Sequence, residues 1–163
     1  MKTLLIVYHS MTGGTLQMAD AAQAGAATEK ALAVRLMHAR DASAEHMLAA
    51  DGYLFATPEN LAAISGALKE FFDRNYYPCL ERLNGRPYAT LVCAGSDGQN
   101  AARQIERIAT GWRLKPVAPP LIVCTHAQTP EEILRPKQIT AEDLQRCAEL
   151  GALLAAGLCA GIF

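Results

Sequence analysis

Short apolar runs alternate with stretches of helical spacing along the whole chain. "TLLIVY" (3–8) is a continuous apolar run of strand length, and the Ala-rich segment 14–27 that follows it has helical character. "LAVRLMHA" (32–39) alternates apolar with polar residues, the signature of an edge strand. "DGYLFAT" (51–57) predicts a third strand. Leu61, Ile64, Leu68, Phe71 and Phe72 then recur at helical spacing and predict a helix over 61–74. "YATLVCA" (88–94), a helix over 98–113 and "PPLIVC" (119–124) continue the alternation. Thr140 and Asp143 form a capping-box-like start to a last helix carrying Leu144, Cys147, Leu150, Leu154 and Leu158.

Five strand–helix alternations imply a parallel sheet covered by helices on both faces. Such sheets bind ligands beyond the carboxyl ends of their strands. Attention therefore falls on loops 9–15, 57–62 and 94–98. The chain has 163 residues, the size of one domain spanning 1–163, and its 51% hydrophobic content is enough for a packed core. A net charge of −1, with both signs interspersed, argues against nucleic acid as a partner. The apolar run after Lys2 is too short for a secretory signal. "LGALLAAGLCAGIF" at the other end is too short for a bilayer span, which takes roughly 20 residues, so a buried helix is expected. The five cysteines are scattered, with no C-x-x-C, and fit reduced thiols in a cytoplasmic protein without a metal site.

Loop 9–15 carries Ser10, Met11, Thr12, Gly13, Gly14 and Thr15 at a strand-to-helix junction. Small residues let backbone wrap closely around a ligand, and N–H groups at a helix start attract anions. Those residue types also build a plain turn with a helix cap; the position after the first strand favours a phosphate. No lysine lies between residues 3 and 29, so this is not a Walker loop, and G-x-G-x-x-G is absent. The expectation is a terminal phosphate held without a metal or a cationic side chain.

Ser10-Met11-Thr12-Gly13-Gly14-Thr15 resembles the FMN phosphate loop of flavodoxins, [TS]-x-T-G-x-T. "TPENLAAISGALKEFFDR" (57–74) resembles a segment of NAD(P)H-dependent FMN reductases and quinone-reductase relatives in the flavodoxin superfamily. The likeness runs on through "ADGYLFATP" and "GRPYATLVCAGSDG". It implies a flavodoxin-like three-layer α/β/α sandwich with a five-stranded parallel sheet in the order 2-1-3-4-5. It also implies FMN, with Thr57, Pro58, Glu59, Asn60, Leu61 and Ala62 along the isoalloxazine ring. Ala94, Gly95, Ser96, Asp97 and Gly98 would offer N–H groups to the ring's polar edge, or simply form a turn in which Asp97 caps the next helix.

Two departures stand out. Asn60 occupies a position where the family often has Tyr, and Ala62 one where it often has Gly, so the Ala62 methyl is expected to crowd flavin N5. Asn60 also suits an ordinary helix N-cap. Neither ring loop contains an aromatic residue. One open flavin face suits a second substrate: NAD(P)H stacking on the ring, passing hydride to N5, with electrons then handed to a small-molecule acceptor. The cofactor carries that chemistry, so no catalytic side chain is assigned. An electron-transfer flavodoxin and a flavin-free regulatory or binding module are the alternatives. Relatives point to a homodimer or homotetramer. Tyr76, Tyr77, Arg74 and Lys69 are read as packing or surface residues, and Cys93 as a packed thiol, since Gln99 breaks the C-x₅-R phosphatase pattern.

Overall fold

A computed structural model describes residues 1–163. The first strand β1 (Lys2–Tyr8) leads into α1 (Gly14–Ala26), then β2 (Leu32–His38), α2 (Ala44–Ala49) and β3 (Gly52–Asn60). A two-residue strand β4 (Ala63–Ile64) precedes α3 (Gly66–Cys79), β5 (Pro87–Ala94) and α4 (Gln99–Gly111). Short strands β6 (Lys115–Pro116) and β7 (Leu121–Cys124), the one-turn helix α5 (Pro130–Leu134) and the long α6 (Ala141–Ala160) complete the chain. The main sheet is parallel, ordered β2-β1-β3-β5, with β6 and β7 both on the far side of β5. That is the expected 2-1-3-4-5 order with the fifth strand split in two. Pro119 and Pro120 fall in the break, where neither can donate a ladder hydrogen bond.

Strand periodicity distributes β1 between two cores. Leu4 and Ile6 pack against α1 and α6, while Leu5 and Val7 face the α2–α4 side, and all four are fully buried. Each such side chain contributes about 1.5–3 kcal/mol through burial. The second core is rich in rings: Phe55 packs edge-on to Phe72, and Tyr76 stacks on Trp112, whose Nε1 donates to Tyr76 O at 2.9 Å. On the opposite face α1 and α6 approach backbone to backbone at Gly25 and Gly151. A Cβ on Gly25 would overlap the Ala148 carbonyl, and one on Gly151 the Ala22 carbonyl. This contact fixes α1, whose N-terminus carries the first loop.

The region 57–65 departs from the sequence reading. No helix begins at residue 61. Instead β3 runs on to Asn60 and folds back on β4 as an antiparallel hairpin, Asn60 opposite Ala63. Leu61 and Ala62 make its turn with φ of 50° and 61°. The helix starts five residues later, where the Ser65 side chain accepts from Leu68 N at 3.3 Å, and it buries Leu68, Phe71, Phe72 and Cys79. Asn60 is thus a hairpin residue, not a helix cap. No helix is long and apolar enough to cross a membrane.

Candidate functional site

Loops after β1, β3 and β5 meet around a cavity of about 730 Å³ at the carboxyl ends of those strands. That volume falls within the ordinary range for small-molecule sites. Of the residues singled out from sequence, Ser10, Met11, Thr12, Gly14, Thr15, Pro58, Glu59, Asn60, Leu61, Ala94, Gly95 and Ser96 line it. Gly13, Thr57, Ala62, Asp97 and Gly98 do not.

The first loop is a nest of backbone donors. Ser10 Oγ faces inward along the loop and accepts from Gly13 N at 3.2 Å and Leu16 N at 3.3 Å. Gly13 takes φ +89° as the residue before α1, a conformation that favours glycine. The N–H groups of Ser10, Met11, Thr12, Gly14 and Thr15 have no acceptor in the protein. Thr15 Oγ1 is buried with no partner, the kind of orphan a folded protein rarely keeps without reason. Gly14 has no spare room: a Cβ there would come 2.6 Å from Cys93 Sγ.

The other two loops are tied together by their own side chains. Thr57 Oγ1 accepts from Ser65 N at 3.1 Å and donates to Pro58 O at 2.9 Å, so Thr57 holds the hairpin rather than facing the cavity. Glu59 Oε2 accepts from Gly98 N at 2.6 Å, placing a carboxylate at the start of α4. The residue capping that helix is Gly98, at φ +81°, not Asp97. Asn60 Nδ2 approaches Met11 Sδ at 3.0 Å, linking the first loop to the second. Asn100 Nδ2 donates to Ala62 O at 2.7 Å, and Ile64 N donates to Gln104 Oε1 at 2.9 Å. Ala62 is exposed and outside the cavity, so its methyl does not crowd the interior as expected. In the third loop Gly95 N and Ser96 N carry no protein acceptor.

A fourth segment, unassigned from sequence, closes the cavity. Thr125, Ala127, Gln128, Ile133, Leu134 and Lys137 all line it, as does Cys93. Thr125 N and His126 N donate to Ala94 O and Gly95 O at 2.9 and 2.8 Å. Lys137 N donates to Thr12 O at 2.8 Å, and Lys137 Nζ lies 3.3 Å from Thr12 Oγ1. This corrects the expectation of a loop without a cation: the lysine arrives from 125 residues downstream. No group of three or more His, Cys, Asp or Glu is placed to hold a metal ion.

A family model described as NADPH-dependent FMN reductase matches residues 29–129, more than half of the chain. The chain belongs to that family. The matched span includes both ring loops of this FMN reductase family member but begins after the first loop, which therefore rests on its geometry. A flavodoxin of Aquifex aeolicus (strain VF5) is 37% identical over 73 residues, 45% of this chain and 40% of that protein's length. The fold resembles a flavodoxin from the domain Archaea, with a TM-score of 0.77 at 20% identity, covering 96% of this chain and 99% of that one. A WrbA-like protein from Agrobacterium tumefaciens aligns with a TM-score of 0.73 at 18% identity, over 98% of this chain and 99% of its own.

In this FMN reductase family member the cysteines around the cavity are not primed nucleophiles. Burial pushes the Cys93 thiol up to about 11, with Lys137 opposing and Cys124 adding to the shift. Cys124 is also raised, by burial and then by the charges of Glu59, Asp97 and Asp143. His9, just before the first loop, is lowered by burial and then by His38 and Arg40. Arg74 is engaged elsewhere, on Glu70 and the carbonyls of Ala39 and Ala42, and neither Tyr76 nor Tyr77 reaches the cavity.

Proposed function

We propose that this chain is an FMN-binding flavoprotein, one domain over residues 1–163, that acts as an NAD(P)H-dependent FMN or quinone oxidoreductase. The observation carrying the reading is the set of unpaired donors in the first loop. Five N–H groups and the orphaned Thr15 hydroxyl surround the start of α1, the arrangement that suits the dianionic end of a mononucleotide. Gly14 fits the same reading, since Cys93 leaves no space for a side chain where a ligand must approach the backbone. The donor set therefore fits FMN.

Ser10, Met11, Thr12, Gly14 and Thr15 would hold the phosphate. Pro58, Glu59, Asn60 and Leu61 would flank the ring, and the N–H groups of Gly95 and Ser96 would meet its polar edge. Bound FMN supplies the redox chemistry, exchanging electron pairs with a nicotinamide and with an acceptor. What the chain contributes is alignment and access. No Phe, Tyr or Trp lines the cavity, and the side chains of Met11, Leu61, Ile133 and Leu134 stand exposed at its rim. An apolar rim without a stacked aromatic leaves room for a planar second substrate beside the ring, which supports the oxidoreductase reading.

A second reading, an electron-transfer flavodoxin, is favoured by the Aquifex aeolicus match. One experiment separates the two. Purified protein reconstituted with FMN is expected to show a shifted flavin absorbance that bleaches on anaerobic addition of NADPH or NADH. Flavin bound but untouched by either nicotinamide removes the reductase claim and leaves the flavodoxin reading.

A further inference from the structure

Lys137 is the single lysine or arginine among the residues lining the cavity. Its main chain is fixed twice over. Lys137 N donates to Thr12 O at 2.8 Å, and Lys137 O accepts from Gln17 Nε2 at 2.8 Å. Gln17 Oε1 then takes Ile139 N at 3.1 Å, so one glutamine of α1 staples residues 137–139 beside the first loop. The ammonium makes none of the protein's ion pairs. It rests on neutral acceptors alone: Ile133 O at 2.8 Å, Arg135 O at 2.6 Å and Thr12 Oγ1 at 3.3 Å. A full positive charge without a counter-ion thus stands next to five unpaired N–H groups and the positive end of a helix. An anion is what this arrangement lacks.

We propose that Lys137 sets the specificity of the cavity for a phosphorylated flavin. Resting on the reading that the cavity binds FMN, it assigns the phosphate a charged partner that the loop itself does not contain. On binding, the ammonium exchanges a neutral acceptor for a phosphate oxygen, and charge-assisted hydrogen bonds are roughly twice as strong as neutral ones. The mononucleotide gains from this exchange; riboflavin, which has the same ring and no phosphate, gains nothing. Because Lys137 ends the segment 125–137, the same contact secures the fourth wall of the cavity.

The test is fluorescence titration of flavin-free protein with FMN and, separately, with riboflavin. Lys137→Gln is expected to weaken FMN about tenfold and to change riboflavin less than about twofold, while Lys137→Arg keeps most of the FMN affinity. In the unmodified protein, raising salt from about 20 mM to about 500 mM weakens FMN several-fold and leaves riboflavin unchanged, because only a charge pair is screened. Equal losses for both flavins in Lys137→Gln would show that the lysine only shapes the wall and would overturn the proposal. So would an FMN affinity that ignores both the substitution and the salt. If Lys137→Gln does not fold, the salt series decides. Failure of the unmodified protein to bind either flavin sinks the underlying reading as well, whereas tight FMN binding indifferent to Lys137 removes this inference alone.

Discussion

The two ends of the cavity are built by opposite rules. Around residues 10–15 the polar groups are kept free: five N–H groups and one buried hydroxyl have no partner, and a lysine stands by without a counter-ion. Around residues 57–64 and 94–98 the polar side chains are committed. Thr57, Glu59, Asn60, Asn100 and Gln104 each hold one loop to another. The first end stores unsatisfied polarity, which costs stability and rewards an anion. The second end spends its polarity on rigidity and offers a ligand mainly apolar surface and two N–H groups. Substitutions at the first end should therefore change binding more than stability, and those at the second end the reverse.

The largest expected effect tests the first half of that statement. A Thr12→Ala/Thr15→Ala double variant removes two hydroxyls that have little to do within the protein. Two hydrogen bonds to a charged group are lost from the complex at about 1.5 kcal/mol each, so FMN affinity should fall about 100-fold. The urea midpoint of the flavin-free protein should hardly move, since Thr15 Oγ1 has no partner to lose. Retained affinity in a folded double variant would mean the phosphate lies elsewhere, and the contrast between the ends would collapse.

Glu59→Ala probes the other end. It removes the carboxylate that accepts from Gly98 N at the positive end of α4, costing about 1 kcal/mol of stability and roughly 2–4 °C in Tm. FMN affinity should fall much less than in the double threonine variant. Ala62→Gly should act with the opposite sign. Ala62 is exposed at φ 61°, where a Cβ is disfavoured, so glycine relieves strain without opening a hole. Glycine also loses more chain entropy on folding, so the net gain is about 0.5 kcal/mol, readable as a raised urea midpoint. A stability loss would show that the Ala62 methyl is part of the packing after all.

Much of this architecture is legible in the sequence because its signals are local. "TLLIVY" and "YATLVCA" are continuous apolar runs, and the sheet buries them on both faces. The donor-rich start of α1 is legible too, since Gly13, Gly14 and the hydroxyls lie within six residues. Region 57–65 misleads because Leu61 keeps helical spacing with Leu68 and Phe72 yet is fully exposed at 101%. The hairpin is decided by distant partners, Asn100 and Gln104, which no local window contains. Lys137 is hidden for the same reason. It follows Pro136 in a segment without apolar periodicity, and only the α1–α6 crossing at Gly25 and Gly151, with the Gln17 staple, brings it to the first loop.

The smallest expected effect concerns the approach to the phosphate end. His9 precedes Ser10, and its ring meets His38 edge-on at 5.5 Å, with Nδ1 buried and unpartnered. Burial first, then His38 and Arg40, hold its pKa below 6.5 in the folded chain. The sign follows directly. The unfolded chain takes up the proton more readily, so stability is complete above pH 6.5 and declines as pH falls through the folded value. His9→Gln should flatten that acid limb between about pH 6.5 and 5 in urea titrations. A bound dianion nearby favours the protonated imidazole, so saturating FMN should flatten it as well, and riboflavin should not. An acid limb equally steep with FMN and with riboflavin would place the phosphate too far from His9 for the two to interact, and would move the charged end of the ligand away from the first loop.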